Sequence, residues 1–297
     1  MTRKLEYVID DAFHAKTVLT FLRAQGFSSR IIKDIKYNPH GILIRNKKVT
    51  VQKTLKKGDR LTVYIREKEE SAVAPREYPL DIVYEDRDII IVNKPPFMAT
   101  HPSQDNYDTT LANALTFYFD AKGEKCTVRA VNRLDKNTSG IILVAKNALA
   151  AGILSDDLKA KRIKRQYLAV VEGRVDACGS VNAPIGRADG SAIKRCVRDD
   201  GDFALTHYEP VKAGDGFSLI KLTLETGRTH QIRVHMSHIG HPVAGDFLYG
   251  TEFSGGISRH ALHSCNITFT HPITKEPLHF EVGLPEDMEK LYETIGI

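Results

Sequence analysis

The chain has 297 residues, 42% hydrophobic and 27% charged. This is the balance of a soluble globular protein long enough for two domains, with no apolar run near the ~18 residues of a membrane helix. The net charge of +5 is uneven: residues 1–70 hold 16 Lys and Arg against 8 Asp and Glu, so the chain is +8 before residue 71 and −3 after it. A basic small segment joined to a near-neutral large one suggests a polyanion-binding module attached to something else, with a solvated basic face as the plain alternative.

The first 70 residues read as one unit. Val18, Leu19, Leu22 and Phe27 mark a short amphipathic helix ending near Gly26, and Ser28 or Ser29 can cap a second helix over 30–36. Strands over 42–44 and 49–51 flank a turn at Asn46, and a further strand covers 61–65 after the turn Lys57-Gly58-Asp59. Residues 67–79, with a charge cluster followed by Pro75 and Pro79, read as a linker. The expected division is 1–70, a linker over 71–79, and 80–297.

Beyond residue 80, strands are expected over 80–83, 89–92, 140–146, 166–172, 205–211, 217–224, 261–269 and 278–282. Helices are expected over 109–118 (capped by Asp108 or Thr109), from Asn147 to about 160, over 229–239 before Gly240 and Pro242, and from Pro285 onward. Many strands and few scattered helices predict an α+β fold with a mainly antiparallel sheet. The four cysteines, Cys126, Cys178, Cys196 and Cys265, lie far apart with no C-x-x-C pair, so neither a disulfide framework nor a zinc site is expected. The start of the chain leads into no signal-peptide core, so a cytoplasmic location is expected.

Three segments could carry chemistry. Arg133-Leu134-Asp135-Lys136-Asn137-Thr138-Ser139-Gly140 is a polar loop running into an apolar strand, a common way to present functional groups. The plain alternative is a turn in which Asp135 caps Asn137 or Thr138 and Gly140 supplies a positive φ. In Glu225–Arg233, a helix from Thr229 would pack Ile232, Met236 and Ile239 inward and put His230, Arg233 and Ser237 on another face, where Arg233 suits a carboxylate or phosphate. Against this stands an exposed surface arginine. His230, His235, His238 and His241 match no zinc spacing, and no metal is expected. In Arg165-Gln166-Tyr167, the tyrosine shares a strand face with Ala169 and Val171, and a core aromatic is the alternative.

Together these segments closely resemble the RluA family of RNA pseudouridine synthases. Asn132–Gly140 matches His-Arg-Leu-Asp-x-x-Thr-Ser-Gly, Arg165–Tyr167 the Lys/Arg-x-Tyr strand, and Gly227–Arg233 the segment Gly-Arg-x-His-Gln-Ile-Arg, continuing through Gly240 to Asp246. Weaker matches are Val92-Asn93-Lys94-Pro95 before His101-Pro102, and Ala261-Leu262-His263. The first 70 residues, through Phe27-Ser28-Ser29-Arg30 and Lys57-Gly58-Asp59-Arg60-Leu61, resemble an S4 RNA-binding domain. One departure is Asn132, where the family usually has His; Asn keeps a hydrogen bond but cannot titrate, which leaves the loop geometry open.

The resemblance implies that uridine in RNA is converted to pseudouridine without a cofactor. Asp135 would be the essential carboxylate, attacking the sugar or removing its 2′ proton. Arg233 would pair with Asp135 and hold it. Tyr167 would stack on the uracil and later help remove the C5 proton, for which a phenol with a pKa near ~10 needs local help. Arg133, Arg228 and His230 are the expected substrate-binding residues, Arg133 filling the space of the extruded nucleotide or holding a phosphate. The implied partner is RNA, with rRNA ahead of tRNA, and a monomer is expected. The alternative is an RNA-binding or ribosome-assembly factor that keeps the fold without the activity.

Overall fold

Residues 2–66, 73–103, 107–124, 126–214, 216–250 and 256–296 are described by a computed structural model. The N-terminal unit is a four-stranded sheet with two helices. Its elements are β1 (Thr2–Val8), α1 (Val18–Ala24), α2 (Ser29–Tyr37), β2 (Ile42–Ile44), β3 (Lys47–Lys48) and β4 (Arg60–Arg66), and the strand order is β1-β4-β2-β3. Thr17 and Ser28 cap the helices by accepting from Thr20 N and Ile31 N. The strand expected over 49–51 is instead the pair Lys47–Lys48. Arg45 and Asn46 both have positive φ, 49° and 63°, as a two-residue hairpin turn requires, so pairing resumes at once on the far side of the turn. Val51 then leaves the sheet and is buried, its carbonyl accepting from Leu19 N at 2.8 Å. β1 was not expected, because Leu5 is its one buried residue and the others, three of them charged, are exposed or half-exposed.

Of the expected linker, residues 67–72 lie outside the described residues. The part from 73 onward is irregular but pinned: Asn113 Nδ2 donates to Ala74 O at 2.8 Å, and Arg76 N donates to Asn113 O at 3.2 Å. The same Asn113 completes a capping box with Thr110, which moves the cap expected at Asp108 or Thr109 to the one residue whose partner three positions on can reciprocate.

The remainder consists of β5 (Asp81–Glu85), β6 (Ile89–Lys94), α3 (Leu111–Ala121), β7 (Arg129–Ala130), β8 (Ser139–Ala145), α4 (Ala148–Lys159), β9 (Lys164–Glu172), β10 (Gly179–Asn182), β11 (Ile185–Arg187), β12 (Arg195–Val197), β13 (Leu205–Ala213), β14 (Phe217–Leu224), α5 (Gln231–His238), β15 (Leu262–Thr270), β16 (Pro277–Glu281) and α6 (Glu286–Thr294). A ten-stranded sheet runs β10-β13-β14-β9-β15-β8-β6-β5, with β16 on β15 and β7 on β8. Among the described residues its one parallel pairing is β8 with β15, so the α+β, mainly antiparallel expectation holds. The continuous apolar runs of β6 and β8 follow from burial on both faces. Ile90, Val92, Ile142 and Val144 pack with Leu115, Ile232, Met236 and Leu291 of α3, α5 and α6. Ile89, Ile91, Ile141 and Leu143 pack with Ala150 and Leu154 of α4. Among the described residues no helix is long and apolar enough to cross a membrane.

The parallel pair places the site. Ser139 and Gly140 lie opposite His263 and Ser264, and a Cβ on Gly140 would stand 2.2 Å from the Ser264 carbonyl oxygen. With φ at +112°, only glycine fits where the polar loop enters the sheet.

Candidate active site

β7 and β8 are joined by residues 131–138, which carry Arg133, Asp135 and Thr138. Much of this loop is held by side chains. Asn132 is buried; its Nδ2 donates to Ile141 O at 3.2 Å and its Oδ1 accepts from Leu143 N at 2.9 Å. An amide can donate and accept at once, so Asn132 stitches the loop to β8 without needing to titrate. Thr100 Oγ donates to Leu134 O at 3.1 Å, Lys94 Nζ to Lys136 O at 3.2 Å, and Arg259 Nη1 to Asn137 O at 3.0 Å. His260 pairs with Thr138 Oγ at 2.8 Å and His263 with Ser139 Oγ at 2.9 Å. Burial pushes these two imidazoles down to about 3 and about 4, so both links stay neutral at physiological pH. Arg259 is itself fully buried and forked onto Asp287 of α6.

Within this frame the turn is closed by main chain, Thr138 N donating to Asp135 O at 3.1 Å. The Asp135 side chain is therefore not a cap; 19% exposed, it lines a cleft with Arg133, Arg165, Tyr167, His230 and Arg233. Arg233 is no surface residue. It is 3% exposed, with Nε and Nη2 donating to Asp246 at 2.6 and 2.8 Å and Nη1 donating to Asp135 Oδ2 at 3.2 Å. Asp246, fully buried, also accepts from Leu248 N and Tyr249 N. The guanidinium is thus fixed from behind and presents one N–H pair forward.

Tyr249 touches all three polar residues of the α5 face. Its hydroxyl pairs with His230 Nδ1 at 2.8 Å, its ring faces the Arg233 guanidinium at 5.0 Å, and its carbonyl accepts from Ser237 Oγ at 2.9 Å. His230, the helix cap, has φ +59°, and its Nε2 stands 3.7 Å from Asp135 Oδ2, beyond hydrogen-bond distance. Burial lowers its pKa, with Asp135 opposing. Arg133 and Arg228 are exposed at the mouth; Arg228 is drawn aside, donating to Phe203 O at 3.0 Å and pairing with Asp202 at 3.5 Å. Tyr167 is 4% exposed in the apolar core, and burial raises its pKa, with Arg165 and Ser264 opposing. The local help that a basic phenol would need is therefore not what its surroundings supply.

Asp246, Tyr249, Lys94 and His263 were not singled out by sequence reasoning as site residues. Lys94, His263 and Asp246 lie in motif segments, but nothing in one dimension attaches a partner to them. Of the four clustered histidines, His235 has both ring nitrogens occupied, by Thr206 Oγ and Ala183 O, and His241 bonds Glu172 O. Asp86, Asp88 and His271 have metal-ligating spacing, but Asp86 pairs with His271 and Asp88 with Arg3 and Asn147, at the junction with the N-terminal unit.

Lys94 yields a testable pH dependence. It is fully buried, with Nζ donating to Pro95 O, Met98 O and Lys136 O, and among the described residues it has no carboxylate in ion-pair range. Burial pulls its pKa down to about 7, Arg259 adding to the effect and Asp135 opposing it. A group whose folded pKa lies below its unfolded value contributes stability that is full above the unfolded value and lost as pH falls to the folded one. Denaturant unfolding at pH 7, 8, 9 and 10 should show wild-type stability rising relative to Lys94→Met, by on the order of a few kcal/mol. Parallel pH profiles for the two proteins would contradict this.

A family model described as RNA pseudouridylate synthase matches residues 88–238, across Asp135, Tyr167 and Arg233. The chain is 44% identical to the uncharacterized RNA pseudouridine synthase YjbO of Bacillus subtilis (strain 168), covering 93% of this chain and 98% of that one. It is 37% identical to ribosomal large subunit pseudouridine synthase D of Xanthomonas campestris pv. campestris, covering 82% and 77%. Among solved structures, human RNA pseudouridylate synthase domain containing 1 superposes with a TM-score of 0.58 at 31% identity, covering 69% of this chain and 83% of that one. A family model over half the chain and a relative matched along nearly all of it agree with the polar loop, the strand tyrosine and the helix arginine meeting in one cleft: the chain belongs to the RluA family of RNA pseudouridine synthases.

Proposed function

We propose that this pseudouridine synthase acts on specific uridines of large-subunit ribosomal RNA, with Asp135 as its essential carboxylate. The observation that carries the reading is the Asp135 carboxylate at the cleft, met by an arginine that a second, fully buried carboxylate holds rigid. The likeness to a ribosomal large subunit pseudouridine synthase D supports the choice of RNA.

The reaction breaks the N1–C1′ bond of uridine, turns the base and rejoins it through C5. Asp135 attacks C1′ or takes the 2′ proton; either role uses a carboxylate that Arg233 orients without blocking, since one oxygen accepts its single bond. Tyr167 serves through its ring, packed against the uracil. Its buried phenol stays protonated at neutral pH and is a poor base for the C5 proton. Arg133 and Arg228 at the mouth take backbone phosphates, and His230 borders the sugar beside Asp135.

We assign residues 1–70 to an S4-like RNA-binding domain, 71–79 to a linker and 80–297 to the catalytic domain, working in the cytoplasm. Supporting this is a groove on the N-terminal unit lined by Arg45, Lys47, Lys48, Lys53 and Lys56, which suits a phosphate backbone. Leu149 of α4 joins the core of that unit, and Arg3 is forked onto Asp88, so RNA held there is held at a fixed distance from the cleft. Carbodiimide mapping of rRNA and tRNA from a strain lacking the gene tests the function: a pseudouridine in large-subunit rRNA should disappear. If none disappears and the purified protein modifies no RNA, the reading fails.

A further inference from the structure

Arg165 and Tyr167 lie two residues apart on one face of β9, and both line the cleft beside Asp135. Arg165 is 7% exposed. The other arginines buried at the site have carboxylates, Arg233 on Asp246 and Arg259 on Asp287. Arg165 has no ion-pair partner among the described residues. Its Nη2 makes a long bond of 3.4 Å to Thr226 O, and its Nε is buried with no hydrogen-bond partner among the described residues. The chain makes room for it: a Cβ on Gly227 would stand 3.1 Å from Nη1. A buried cation without a counter-charge is costly, and such a group is retained where a ligand completes it.

We propose that Arg165 is a further catalytic residue, supplying the positive charge against which the detached uracil forms as an anion. This rests on the pseudouridine synthase reading. When N1–C1′ breaks, its electron pair stays with the ring and spreads over N1 and O2, while C1′ is met by the Asp135 carboxylate or the sugar gives its 2′ proton to it. C5 of the turned base then donates a pair to C1′ as the Asp135 carboxylate leaves C1′ or returns the 2′ proton, which makes the ring neutral; a proton then passes from C5 to N1 by way of the freed carboxylate and water, giving pseudouridine. Between these steps the ring carries a full negative charge in a cleft where Arg165, alone of the buried arginines at the site among the described residues, is not already matched by a carboxylate. Its depth favours the base over a phosphate. Arg165 sits at the floor with Tyr167, whereas the exposed Arg133 and Arg228 stand at the mouth, where the strand must remain. A charge held in place before the bond breaks lowers the barrier without reorganisation.

The test uses the full-length protein and a transcript spanning the mapped uridine, made with uridine or with 5-fluorouridine. Arg165→Gln should slow single-turnover pseudouridine formation about 100-fold, with RNA affinity within about threefold. Arg165→Lys, which keeps the charge, should recover about tenfold of that loss. Fluorine at C5 stabilises the uracil anion by itself. On that transcript, read by loss of 5-fluorouridine from nuclease digests, the Arg165→Gln deficit should shrink to about tenfold or less. Arg165→Met should raise Tm, where a merely structural arginine would lower it. A wild-type rate in Arg165→Gln, or a lower Tm in Arg165→Met, overturns the proposal. So does an equal deficit on both transcripts, which would put Arg165 on a phosphate. If wild-type protein forms no pseudouridine in the uridine transcript, the proposed function fails first and this proposal with it.

Discussion

Asp135→Asn should abolish pseudouridine formation, lowering the single-turnover rate by ~10⁴-fold or more. The amide has the shape of the carboxylate, and its oxygen can still accept from Arg233 Nη1, which now reaches Asp135 Oδ2 at 3.2 Å. The loop should not move, because the turn is closed by main chain and its carbonyls are held by Thr100, Lys94 and Arg259. What disappears is the charge, and with it both routes open to this residue, attack on C1′ and removal of the 2′ proton. RNA affinity should change by no more than about twofold, since phosphate contacts elsewhere supply it. Filter binding and a quenched single-turnover assay on one transcript separate the two quantities. Retention of a few per cent of the rate would remove Asp135 from the chemistry.

Asp246 tests the layer behind it. Asp246→Ala removes two of the three hydrogen bonds that fix Arg233 and leaves a 3%-exposed guanidinium with only Asp135 to balance it. Breaking a buried ion pair from one side costs about 3–5 kcal/mol, so Tm should fall steeply. Asp246→Asn keeps the shape and one acceptor. It should fold, with the Asp135–Arg233 pair misplaced and the rate down by about 100-fold, again at near-constant RNA affinity. Rates within threefold of wild type in a folded Asp246→Asn protein would show that Arg233 does not depend on its buried anchor.

The elements that were legible in the sequence are those whose signal is local. The apolar run of β8, the caps at Ser28 and Asn147, and the breaks at Gly26 and Gly240 all act within a few residues of themselves. β1 and β10 were not legible, because each buries one side chain and draws its hydrogen bonds from a distant partner, β4 or β13, and β11 and β12 were not because each is three residues long with at most one buried side chain. The site divides in the same way. Asp135, Tyr167 and Arg233 could be named because their segments resemble a family. Their surroundings could not: Thr138 meets His260 across 122 residues, and Leu134 meets Thr100 across 34. Arg233 read equally well as a surface charge until Asp246 came behind it. Tyr167 read as a base in want of help, and its burial turned out to work the other way. Asn132 left the loop open on paper and closes it in space with two bonds to β8.

The central claim is that this cleft makes pseudouridine in ribosomal RNA through Asp135. It is tested most directly by incubating total RNA from a strain lacking the gene with purified full-length protein, then mapping pseudouridine by carbodiimide. Wild-type protein should restore a missing pseudouridine in large-subunit rRNA, and Asp135→Asn should restore none. No restoration by wild-type protein, or equal restoration by both, would contradict the account.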